Sequence, residues 1–290
     1  MINLLLFIYY NLSPQLFLLL VLYNGCIVYL LTNKLIIMIK KSISLIVMVF
    51  IVCGTMMTVT AQEDKSYSMW EDIMLTPDNT QLKTLQANMA AHNKKYHKKA
   101  PFTSQVYNIV SGPNAGNIIW QMGPMMLKHN DSRPGDGGHD EDWRDNVMPY
   151  IKKMHTIEYW SQDDDLTNIK ALTEGGDYPI LFIRYFELED DHEFTMKSVF
   201  KQASETAKSL NLPWGLYYNA FLQGDIGRHV ATVNFHKNWA SLDNGKNWKE
   251  AYEKIYGENT WDDFIDTVNA TFSNQWDEIW VYNPMMNGDN

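Results

Sequence analysis

Two short stretches carry residues from which acid–base chemistry could be built. TIEYW at Thr156–Trp160 and WDEIW at Trp276–Trp280 each set a glutamate, Glu158 or Glu278, two residues before a tryptophan, Trp160 or Trp280. Among aromatic rings, burial would raise a carboxyl pKa and make it a general acid or base. On an edge strand the same glutamate would point to solvent, and the spacing admits both readings. Arg184 falls between Phe182 and Phe186 on one face of an apolar stretch. Its guanidinium would either pair with a buried carboxylate such as Glu158 or Glu278, or bind an anionic ligand with a carboxylate or enolate-like oxygen. Glu158, Glu278 and Arg184 are therefore the catalytic candidates.

Other chemistries find less support. The eight histidines show no HExxH spacing and no i, i+4 pair, so no metal site is expected. The loop HNDSRPGDGGHDED, 129–142, is rich in carboxylates and glycine, but it lacks the alternating ligands of a calcium loop and reads as solvated or as a hinged cover. There is no nucleophile elbow, P-loop or dinucleotide fingerprint, and Gly112 and Gly116 read as hairpin-turn residues.

The amino-terminal composition bears on where the chain works. Residues 1–37 hold one charge, Lys34. They read either as an apolar membrane segment or, preferably, as an upstream mis-start, with Met38 the true start. Residues 38–61 then form a signal peptide, with Lys40 and Lys41, an apolar run from Ile43 to Val52, and Val59-Thr60-Ala61 before the cut. A lipid anchor at Cys53 is disfavoured by Val52 before it. The expectation is a periplasmic or secreted protein that meets a membrane only through its export segment. Both cysteines, Cys26 and Cys53, precede the cut, so thiol and disulfide chemistry drop out. From Gln62 onward there are 21 basic and 34 acidic residues, which argues against nucleic acid as a partner. All ten tryptophans lie in this part, as core or as the lining of a ligand cavity.

The elements that would position these residues come in two sets. YNIVSGPNAG at Tyr107–Gly116 and YNAFLQGDIG at Tyr218–Gly227 share Tyr-Asn, seven residues and Gly. Before the first lie the strand YSMWEDIML, Thr76-Pro77 as a helix start, and a helical stripe of Leu82, Leu85, Met89, His92 and Tyr96. Before the second lie the strand PILFIRYFEL, acidic Glu189–Asp191, and a stripe through Met196, Val199, Phe200, Ala203 and Ala207. Each Tyr-Asn stretch reads as the first strand of a hairpin. Each hairpin leads to a helix opening on Trp (DWRDNVMPYIKKM, NWKEAYEKIYG) and a last strand holding Glu158 or Glu278.

The expected fold is α+β, with two tandem ferredoxin-like βαββαβ units at 62–162 and 179–284, a linker at 163–178 and a tail at 285–290. Each sheet would leave one apolar face bare, and packing sheet to sheet would cover both. In element order and duplication, Ser66 to Pro284 resembles the dimeric α+β barrel superfamily. That group includes antibiotic-biosynthesis monooxygenases, EthD-like and NIPSNAP-like proteins, and the haem-binding chlorite dismutases and dye-decolorising peroxidases.

The resemblance implies a small, partly apolar ligand held in an aromatic-lined cavity. The candidates to touch it are Asn108, Asn219, Trp120, Tyr159, Trp160, Arg184, His229 and Trp280. No cofactor is expected. Haem remains a rival, with His229 or His155 as its proximal ligand, and so does a cofactor-independent monooxygenase or isomerase. A third rival is a glycan- or protein-docking surface built on Trp239 or Trp261. The duplication allows a monomer or a homodimer.

Overall fold

The computed structural model describes residues 66–290 except 134, 136, 222–229, 244–246 and 288–290. The expected export segment, both cysteines, His229 and the expected turn QGDIG at 223–227 lie outside the described residues. Ser66–Asn290 is one compact unit. Among the described residues no helix is long and apolar enough to cross a membrane.

Eight strands close into a barrel, every pairing antiparallel. They are β1 (Met69–Pro77), β2 (Ser104–Ser111), β3 (Ile118–Met125), β4 (Ile151–Gln162), β5 (Ile180–Leu188), β6 (Trp214–Asn219), β7 (Val230–His236) and β8 (Phe272–Tyr282). Around the wall they run β1-β3-β2-β8-β5-β7-β6-β4. The first four strands are contiguous, and so are the last four. The runs join at two seams, β2 to β8 (Tyr107 opposite Tyr282, Ile109 opposite Trp280) and β4 to β6 (Trp160 opposite Asn219). Closure leaves no unpaired edge for another strand to add to. The apolar sheet faces thus turn inward on one shared interior.

Alternation along each strand sorts side chains into three clusters. Tyr107, Ile109, Ile119, Trp160, Ile183 and Trp280 point inward. Outside the first four strands, helix α1 (Leu82–Tyr96) packs Leu85 and Met89 on Val106, Trp120 and Met122. A short helix α2 (His139–Asp142) lies against α1. Helix α3 (Ile169–Gly175) links the two runs of strands. Outside the last four strands, helix α4 (Glu193–Ser209) packs Val199 and Phe200 on Phe186, Trp214 and Phe272. Helix α5 (Ala240–Asp243) is a single turn, and helices α6 (Trp248–Tyr256) and α7 (Trp261–Thr271) complete that layer. Helix α8 (Pro284–Asn287) closes the described chain.

The structure departs from the sequence-based expectations in several places. Strand β1 continues through Thr76 and Pro77, and Asp78 caps the turn that follows by accepting from Thr80 N at 3.0 Å. In place of the expected first Trp-opening helix from Asp142, a short helix His139–Asp142 runs into a π-turn, Trp143–Val147, and a 3-10 turn, Met148–Tyr150, and Ile151 begins β4. The linker contains α3, capped by the Asn168 side chain. The described part of the expected tail, 285–287, belongs to α8, with Met286 and Asn287 buried and Asn287 bonded to both backbone groups of Val106.

The Tyr-Asn pair is out of register by one. Tyr107 faces the interior, whereas Tyr218 packs outward and Tyr217 takes the inward position. In a strand of period two, a slip of one residue exchanges faces.

Candidate functional site

The inward faces of the strands build a cavity at one end of the barrel. It holds about 280 Å³, and Leu181, Ile183, Val233 and Phe235 with Trp160, Tyr185 and Trp280 make most of its wall. Polar groups gather on the remaining side, where Asp72 of β1, Gln121 of β3, and Gln105 and Tyr107 of β2 lie near Tyr217 of β6. Gln121 Nε2 donates to Asp72 Oδ1 at 2.9 Å, the Tyr107 hydroxyl to Gln105 Oε1 at 2.6 Å, and the Tyr217 hydroxyl to Gln162 Oε1 at 3.2 Å. Burial pushes both phenols well above their ordinary range, and the negative charge of Asp72 adds to the shift. Trp70 sets its ring edge-on to Tyr217, with centroids 5.5 Å apart, at the rim.

Beneath this cavity the barrel is plugged. Glu158 and Glu278 are almost fully buried, so the solvent-facing alternative does not hold. Each accepts from the indole of the tryptophan two residues on, Trp160 Nε1 to Glu158 at 3.0 Å and Trp280 Nε1 to Glu278 at 2.8 Å. Residues i and i+2 share a strand face, which is why each glutamate meets its own tryptophan. Asn114, from the β2–β3 turn, donates a second bond to Glu278 at 2.6 Å. Beyond the plug, Met74, Thr156, Glu187, Asn274 and Trp276 line a separate open groove.

The other expected site residues divide by location. Trp160 and Trp280 line the cavity. Arg184 faces outward and pairs with Asp277, not with Glu158 or Glu278, through Nε–Oδ1 at 2.7 Å and Nη2–Oδ2 at 2.8 Å, both side chains being exposed. Asn108 faces outward and accepts from Asn283 at 3.0 Å. Asn219 faces inward opposite Trp160; its Nδ2 is buried with no partner among the described residues. Trp120 is buried outside the wall, where its Nε1 donates to Asn93 at 2.9 Å. Tyr159 also packs outside the wall, and burial followed by the nearby Glu71 carboxylate raises its pKa. Trp239 is exposed, whereas Trp261 is engaged with Tyr252 and Phe264.

Sequence reading missed Asp72, Gln105, Gln121 and Tyr217. They sit on four strands, and only the closed register brings them to one mouth. The alternation of β1 around Asp72 was the one available signal.

It also missed a group of histidines. His92 on α1, His97 just after it and His139 at the start of α2 are buried together, their ligand atoms within 4.8 Å of one another. His92 Nδ1 lies 2.8 Å from Asp142 Oδ2, His97 Nδ1 2.9 Å from the Phe102 carbonyl, His139 Nδ1 2.7 Å from Asp140 Oδ1, and His97 Nε2 3.1 Å from His139 Nε2. Burial pushes the His97 pKa down to about 3 and lowers that of His92. The 129–142 loop contributes Asp140 and Asp142 here, so these carboxylates hold histidines. Its Arg133 binds both oxygens of buried Glu71, at 3.0 and 2.7 Å.

Of the two histidines considered for haem, His229 lies outside the described residues, and His155 lines the separate groove, not the barrel cavity, with its Nε2 2.8 Å from the Thr76 hydroxyl.

No protein-family model and no curated protein matches the sequence. Several solved structures are similar in shape. A chlorite dismutase from Candidatus Nitrospira defluvii in complex with imidazole has TM-score 0.47 and 7% identity, over 76% of this chain and 93% of that one. A candidate monooxygenase from Lactobacillus acidophilus NCFM has TM-score 0.44 and 10% identity, over 75% and 94%. An anthrone oxidase-like protein has TM-score 0.44 and 10% identity, over 76% and 92%. At these identities no residue role passes from them to this chain.

Proposed function

We propose that the protein is an exported binding protein whose barrel cavity holds a small molecule with an apolar body and a hydrogen-bonding head group. The observation that carries this reading is the one-sided polar cluster of Asp72, Gln105, Gln121, Tyr107 and Tyr217 in a cavity otherwise walled by apolar and aromatic side chains. Such a pocket rewards burial of a hydrocarbon or aromatic body, and its few polar groups fix the orientation. Asp72 would accept from a hydroxyl or amine on the ligand. In this reading the barrel is a pseudo-dimer of two tandem ferredoxin-like units. Support comes from the wall order, which runs fourth, first, third, second through each set of four strands. The leader composition supports export.

Native mass spectrometry of the purified protein tests the binding. The expected result is a co-purified adduct that is absent from Ala231→Trp, a variant that fills the cavity from a buried wall position. Wild type free of any adduct, with A231W strongly destabilised as overpacking of a full core would be, would remove the proposal.

One observation favours an enzyme as a second reading. Asp72 is a buried carboxylate facing the cavity beside two phenols, the placement a general base needs in a cofactor-independent monooxygenase or isomerase. If so, Asp72→Asn keeps the adduct but leaves it chemically unchanged on incubation in air.

A further inference from the structure

The three histidines form a site of their own, since none of them lines the barrel cavity. Their protonation follows from their partners. A backbone carbonyl only accepts, so Nδ1 of His97, 2.9 Å from the Phe102 oxygen, carries the hydrogen. Asp142 at 2.8 Å and Asp140 at 2.7 Å assign the hydrogen to Nδ1 of His92 and His139 in the same way. A neutral imidazole with its hydrogen on Nδ1 presents a lone pair at Nε2. The His97 and His139 lone pairs then face each other at 3.1 Å, which is repulsive. His92 Nε2 is buried with no partner among the described residues. A cation at the centre resolves both conflicts at once.

We propose that His92, His97 and His139 bind one divalent transition-metal ion through their Nε2 atoms. Metal–nitrogen bonds of about 2.0–2.1 Å in tetrahedral geometry set the nitrogens about 3.3 Å apart. The His97–His139 pair already stands close to that spacing at 3.1 Å, and a ring nitrogen of His92 lies within 4.8 Å of one on each of the other two. Three imidazoles and no carboxylate select zinc or its neighbours over calcium or magnesium, and a tetrahedral preference favours zinc. Each ring's Nδ1–H is held by an oxygen, the outer contact that orients metal-bound imidazole. The fourth position is left to water or a small anion. The site would fasten the 127–142 segment to α1, because His139 is the first buried residue described after Met125.

Cobalt(II) titration of the chelator-treated, purified protein tests this. The expected result is one equivalent bound with the visible absorption of a tetrahedral nitrogen-ligated ion, displaced by zinc, together with a rise in the thermal midpoint. His92→Gln and His139→Gln should each weaken binding more than about 100-fold, and Asp142→Asn about 10- to 100-fold through loss of the outer contact. His236→Gln, on a different face, should bind as wild type. Circular dichroism separates lost binding from lost folding, and D142N leaves all three rings in place should a histidine variant unfold. A folded wild type that takes up no cobalt, or H92Q and H139Q that bind as tightly as wild type, would overturn the assignment. Neither result bears on the barrel adduct, so the two proposals fail separately.

Discussion

At the scale of single residues, each plug glutamate depends on the indole beside it. Trp280→Phe keeps most of the ring but removes one of the two hydrogen-bond donors that buried Glu278 has among the described residues, leaving Asn114 as the other. A loss of about 1–3 kcal/mol in urea unfolding is expected, the cost of stranding a buried acceptor. Trp239→Phe, at an indole 54% exposed, should stay within about 0.5 kcal/mol of wild type. Equal effects at the two positions would refute the plug. The sequence made Glu158 and Glu278 visible as paired types, and period-two alternation put each on the face of its tryptophan. It could not say whether that face was wet, because inside and outside are decided by closure of the barrel. The histidines were less legible still. His92 and His97 are five apart, which is neither HExxH nor an i, i+4 pair, and His139 reaches them only because the 129–142 loop folds back on α1.

Elements were easier to read than their register. The turn SGPNAG marked the β2–β3 hairpin correctly, and its two glycines now separate into different roles. Gly112 has φ +101°, and a Cβ there would come within 2.3 Å of the Asp277 oxygen and 2.8 Å of Glu278 Cγ. Gly116 has φ +94° but nothing within 4 Å of a Cβ. Gly116→Ala should therefore cost about 1 kcal/mol, for backbone strain alone. Gly112→Ala should cost several-fold more, because β2 must move off β8. Chemical denaturation of the two variants side by side checks this, and matching losses would mean the strand contact is loose. The slip between Tyr107 and Tyr218 marks the limit of repeat reading, since alignment on letters cannot see which side of a sheet a residue takes. The second hairpin's inward tyrosine is Tyr217, one place earlier.

For the whole molecule, closure of the wall is the property to test. Burial raises the pKa of Tyr107, Tyr217 and Tyr218 above the usual phenol value, that of Tyr218 to about 12. The unfolded chain gives up these protons first, near pH 10. Their contribution to stability is therefore complete below about pH 10 and is lost as pH rises toward the folded values. Urea midpoints should fall between about pH 10 and pH 12, with phenolate absorbance from these rings appearing only as the protein unfolds. Ionisation of every tyrosine near pH 10 in the folded state would contradict a closed, packed interior. The amphipathic strands implied a shared buried face, but ordering eight strands around a wall rests on long-range pairings such as Ile109 with Trp280, and no local pattern spells those out.

The plug also governs traffic. In the proposed binding role, with buried Glu158 and Glu278 filling the bore below the cavity, a guest would come and go past the Trp70–Tyr217 gatepost at the rim. Trimming Trp70, the half of that pair outside the polar cluster, should quicken arrival and departure by the same factor, provided the guest does not touch it once seated. Residence time would then change while affinity stayed put.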